Sequence, residues 1–61
     1  MEINGIEFSL DNIFDVEWAE QLYGDGKYVA IHYYGGETVL IPVKDYEEYT
    51  NVSSSILEAL H

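Results

Sequence analysis

The side chains with chemical reach in this chain are twelve carboxylates, two imidazoles, a few hydroxyls and no thiol. The lack of cysteine removes disulfides, thiolate metal sites and a cysteine nucleophile together. His32 and His61 would make a metal site only with acids beside them, and His61 is the last residue. His32 lies inside an apolar run, which suits a partly buried ring with one satisfied nitrogen better than a ligand or a base. Serines at 9, 53, 54 and 55 have only His32 as a candidate base. Asp15 and Glu17 share one face of an extended strand and could hold a cation or work as acid and base. Without a pocket, the simpler reading is a solvated face. A calcium loop needs closely spaced oxygen ligands with a bidentate Glu, and a phosphate cradle needs a glycine pattern that follows a strand and opens a helix. Neither pattern occurs. The expectation is a non-enzymatic protein with no catalytic residue, metal or cofactor.

Charge narrows the choice further. Twelve Asp and Glu against two Lys and Arg give a net charge of -10 over 61 residues. Residues 1–26 carry -7, residues 27–44 carry +1 and residues 45–61 carry -4, so a neutral apolar middle is flanked by acid. Two lysines cannot neutralise a run of phosphates, which argues against direct contact with nucleic acid or an anionic membrane. No apolar run approaches the roughly 20 residues of a membrane span, and no basic-then-apolar leader opens the chain. A cytoplasmic location follows as the expectation. High charge can prevent folding, but 48% hydrophobic residues with six Tyr, two Phe and one Trp supply a core. One domain is the limit, and a chain this short buries only about 60% of its unfolded surface.

The elements that would position these groups are clearest in the middle. Residues 27–34 and 37–43 are rich in β-branched and aromatic side chains, and Gly35-Gly36 between them suits a two-residue hairpin turn. Pro42 cannot donate to a ladder and belongs on an edge strand. Residues 14–23 resolve on a period of two, with Phe14, Val16, Trp18 and Leu22 on one side and Asp15, Glu17 and Gln21 on the other. They read as a strand joined to the next through Gly24-Asp25-Gly26. Upstream, Ile6, Phe8 and Leu10 alternate with Glu7 and Ser9; Asn4-Gly5 and Asp11-Asn12 suit turns. Beyond Asp45, a suitable N-cap, Tyr46, Tyr49, Val52, Ile56, Leu57 and Leu60 form a helical stripe. Weak helix formers at 50–55 allow a break there. The expected fold is α+β: a four-stranded antiparallel β-meander (about 2–10, 14–23, 27–34 and 37–43) with a C-terminal helix (about 45–60) on one face.

A two-residue turn at Gly35-Gly36 would set His32 opposite Val39 and Ala30 opposite Ile41; a three-residue loop at 24–26 would set Trp18 opposite His32. The face under the helix would then carry Val16, Trp18, Leu22, Ala30, Val39, Ile41 and Val43. The other face would carry Val29, Ile31, Tyr33 and Leu40, with Tyr23 nearby. A sheet solvated on one face alternates apolar with polar residues, so that second apolar face should meet something. A second copy, as a symmetric homodimer, is one expectation.

The acids are the other signal. Designed domains use a net charge of magnitude about 2–8 for solubility, and this chain exceeds that. Acids spaced along a strand and a helix can imitate phosphates about 3.4 Å apart, and would steer the protein into a basic nucleic-acid-binding groove. Glu2, Glu7, Asp11, Asp15, Glu17 and Glu20, with Asp45-Tyr46-Glu47-Glu48 after the hairpin, give a short, cysteine-free, Tyr-rich acidic chain. In size, charge and texture it resembles the small phage-encoded DNA mimics, which include anti-CRISPR proteins and inhibitors of uracil-DNA glycosylase. The resemblance implies an inhibitor that blocks a host protein by phosphate mimicry. The residues expected to bind that basic partner are Asp15, Glu17, Glu20, Asp45, Glu47 and Glu48, with Tyr23, Tyr33 and Tyr46 as anchors. The alternative is a homo-oligomeric interaction module whose acidic surface only solubilises it.

Overall fold

The computed structural model describes residues 1–20 and 26–60. The fold is α+β, with five strands in two antiparallel sheets and one C-terminal helix among the described residues. Strands β1 (Glu2–Ile3) and β2 (Ile6–Glu7) pair with each other in a small sheet of their own. Strands β3 (Ile13–Glu20), β4 (Lys27–Tyr33) and β5 (Thr38–Val43) form a sheet in that order, and helix α1 (Tyr46–Leu60) follows.

The expected four-stranded meander is thus corrected at its first strand. Asn4 (φ 53°) and Gly5 (φ 82°) are both left-handed, which is the requirement of the tightest two-residue hairpin turn. The chain therefore folds back on itself, with Met1 and Phe8 exchanging main-chain hydrogen bonds of 2.8 and 2.9 Å. This small hairpin packs Ile3, Ile6 and Phe8 onto the core shared with the helix, and Asn4 Nδ2 donates to the Pro42 carbonyl at 2.9 Å. Residues 21–23 of the expected second strand, including Leu22, lie outside the described residues.

The turn between β4 and β5 decides which face is which. Tyr33 N–H donates to the Glu37 carbonyl and Gly36 N–H to the Tyr33 carbonyl, each at 2.9 Å. The loop therefore has three residues, Tyr34-Gly35-Gly36, and ends on a left-handed Gly36 (φ 92°), a standard bulged hairpin. One residue more than a two-residue turn shifts the β4–β5 register by one, and the β3–β4 register also departs from the expected Trp18 opposite His32. Val16, Trp18, Val39, Ile41 and Val43 stay on the helix side as expected, and Val29, Ile31 and Tyr33 join them in place of Ala30. Ile31 stands opposite Val39, and Val29 opposite Ile41; on β3, Val16 stands opposite Ile31 and Trp18 opposite Val29. These residues lie under α1 and the first hairpin. Val29, Ile31, Ile41 and Ile56 are 0% exposed.

The helix runs unbroken through 50–55. Thr50 Oγ1 and Ser55 Oγ donate back to the carbonyls of Tyr46 and Asn51, a local bond that lets hydroxyl residues sit inside a helix. Asp45 caps it by accepting the Glu48 N–H at 2.8 Å, while Glu48 Oε1 accepts the Lys44 N–H at 2.7 Å. Val52 and Ile56 are buried, yet Tyr46, Leu57 and Leu60 on the flank beside β3 stay exposed.

Candidate interaction surface

The sequence-derived sites fall in three places. Val29, Ile31 and Tyr33 do not form an open apolar face; the three-residue turn puts them in the core, at most 9% exposed. Leu40 is on the bare face, half-buried opposite Ala30. Tyr23 lies outside the described residues. Asp45 and Glu48 are tied into the helix start, whereas Glu47 beside them is exposed. Asp15, Glu17 and Glu20 all lie exposed on β3. By the pleat, Asp15 and Glu17 face the bare side, and Glu20 shares the parity of Val16 and Trp18 and stands opposite Lys27.

Across the bare face runs a line of three polar side chains. Glu17 Oε1 lies 3.1 Å from His32 Nε2, and His32 Nδ1 lies 3.1 Å from Thr38 Oγ1. A neutral ring satisfies both contacts by donating from Nε2 to the carboxylate and accepting the threonine hydroxyl at Nδ1. Acid, imidazole and hydroxyl in that sequence resemble the parts of a nucleophile relay. None of the concavities described below is lined by any of the three. The line instead makes a cross-strand polar tie that suits a solvated face.

Of the depressions among the described residues, two bear on these sites. One, of about 410 Å³, lies at the end of the sheet, with Phe8, Tyr33 and Val39 below and Glu7, Asp11 and Glu37 around it. The Tyr33 hydroxyl donates to the Ser9 carbonyl at 2.6 Å; burial, and then the Glu37 carboxylate, push its pKa above the ordinary 10.0. The carboxylates do not converge: among the described residues no three His, Asp or Glu side chains could hold a metal ion.

The other depression, of about 220 Å³, runs along the outer edge of β3, between Ile13, Phe14 and Val16 on the strand and Ser53, Leu57 and Leu60 on α1. A β-bulge produces it. Ile13 stands opposite Tyr33 and Asp15 opposite His32, so Phe14 is the extra residue. Phe14 is 59% exposed, with its ring 5.4 Å from that of Tyr34, itself 76% exposed. At the other end of the strand Trp18 packs edge-on to Tyr46 and Tyr49, at 5.2 and 5.5 Å.

No family model, curated protein or solved structure matches this chain. The surface must therefore speak through its own residues. Of the large apolar side chains left exposed, Phe14, Tyr46, Leu57 and Leu60 border β3, and Asp15, Glu17 and Glu20 are on it. Sequence reasoning found the acids and, of the apolar strip, Tyr46, which is exposed as an anchor requires; it missed Phe14, Leu57 and Leu60. One signal was available: α1 carries more apolar positions than a three-stranded sheet can cover. The bulge at Phe14 leaves no such sign. Among the described residues no helix is long and apolar enough to cross a membrane.

Proposed function

We propose that the protein is a small, non-enzymatic acidic binding protein that occupies the nucleic-acid-binding surface of a basic host protein, as a phage or mobile-element inhibitor of the anti-CRISPR kind would. The observation that carries this reading is the β3 flank, where Asp15, Glu17 and Glu20 share one strand with exposed Phe14, and Asp15 and Phe14 border the depression that Leu57 and Leu60 also line. Among the described residues the one close acid–base contact is Glu17 with His32. The charge of -10 is therefore largely unneutralised, and it would steer a basic partner inward while the apolar strip slows its release. The homo-oligomeric alternative loses the face it named, because Val29, Ile31 and Tyr33 are interior.

The test uses Glu20 and Glu47, which are exposed and take no part in the helix cap. The immobilised protein should retain a basic protein from bacterial lysate that excess duplex DNA displaces. The double variant Glu20→Lys/Glu47→Lys should lose at least about tenfold in affinity for it, as expected for two charge contacts. Retention indifferent to DNA and to the charge reversal would reject phosphate mimicry.

A further inference from the structure

The two long edges of the three-stranded sheet differ in what they offer a partner. On β5, Pro42 has no N–H to give, and Asn4 already occupies the Pro42 carbonyl. On β3, the outer edge is eight residues long and carries no further strand among the described residues. An open edge of that length is a template for another strand. Near its start the edge is held in reserve: the Asp15 carboxylate accepts the N–H of Val16 at 3.0 Å, standing where an incoming carbonyl would stand.

From this edge we infer that β3 binds its partner by strand addition, and that the added segment is extended and alternates basic with aliphatic residues. The inference rests on the proposed function and names the form of the partner. Its pattern follows from the pleat. A strand laid beside β3 sends alternate side chains to opposite sides of the sheet. Those on the helix side meet Val16, Trp18, Leu57 and Leu60, which call for aliphatic groups. Those on the bare side meet Asp15 and Glu17, which call for lysine or arginine. A basic side chain at Asp15 would also draw its carboxylate away from Val16, freeing that N–H for the new ladder. Affinity would come from main-chain bonds and specificity from the alternation. Charge excludes a second copy from the same place, since each chain carries -10 and would set like acids against one another.

Three synthetic octapeptides of one composition test this by calorimetry at low salt. The first alternates Lys and Val, the second has the lysines and valines in two blocks, and the third is the alternating peptide N-methylated at its four central residues. The alternating peptide should bind at least about tenfold more tightly than either control, since two or three main-chain hydrogen bonds are at stake. Amide exchange should slow along residues 13–20 and not along β5. Equal binding of all three would overturn strand addition while leaving acid-led binding intact. Binding of none would remove both the inference and the reading beneath it. A dimer in the absence of peptide, with concentration-dependent protection of β3, would make the second copy the occupant and overturn the inference.

Discussion

Tyr33 and Tyr34 are adjacent in the chain and lead opposite lives. Tyr33 ends β4 in the interior, its hydroxyl tied to Ser9, whereas Tyr34 opens the turn and lies exposed against Phe14. The same contrast separates the covered face from the β3 flank. The covered face is apolar because a core holds it, with Val29, Ile31 and Ile41 fully buried. The flank is apolar, with none of the described residues over it and acids along it. Apolar content alone therefore does not mark an interface; what matters is whether the fold has already used it.

This contrast predicts a reversal of effects between the two regions. The largest belongs to Ile31→Ala, which removes a fully buried side chain at the centre of β4. A loss of about 2–5 kcal/mol is expected, against a total of roughly 3–9 kcal/mol for a chain of this length. Urea unfolding should show the midpoint collapse; a midpoint close to that of the parent would mean that the covered face is not the core.

Tyr33→Phe comes next, at about 1 kcal/mol for the lost hydrogen bond. It also carries a pH signature. The folded state holds the phenolic proton more tightly than the unfolded chain, so this contribution is fully present below the ordinary value of 10.0 and is lost as pH rises through the raised one. Melts across the alkaline range should fall more steeply for the parent than for the phenylalanine variant. Parallel curves would remove Tyr33 as the cause.

The smallest change in stability, within about 0.5 kcal/mol, is expected for Leu57→Asp on the exposed flank. The same variant should weaken the alternating peptide. If it unfolds the protein instead, the flank belongs to the core and the contrast fails.

Much of this was legible in the sequence, and the losses have physical causes. The hairpin at 27–43, the edge position of Pro42, the Asp45 cap and the C-terminal helix follow from turn chemistry and periodicity. The first meander strand fails because Asn4-Gly5 is a strong enough turn to close a hairpin of its own. The assignment of faces holds for β3 and β5 and fails on β4: Gly35-Gly36 reads as a two-residue turn but the chain adds Tyr34 to it, and Trp18 stands opposite Val29 rather than His32. Alternation reveals that a strand has two faces but not which one is covered when both are apolar, as at Val29-Ala30-Ile31. The acids of β3 were visible as charges, while their apolar companions depended on a bulge and on helix placement. Those are tertiary facts.

The first hairpin has a consequence for the order of assembly. β3, β4, β5 and α1 each lie against an element adjacent in the chain, and such local pairs close within microseconds. The contacts of residues 1–10 reach much further: Asn4 to Pro42 spans 38 positions and Tyr33 to Ser9 spans 24. On a ribosome that segment emerges before β5 and has no surface to settle on until β5 has been made. Residues 1–10 are thus the last to be fastened, and they serve as a clasp over a sheet that has already formed.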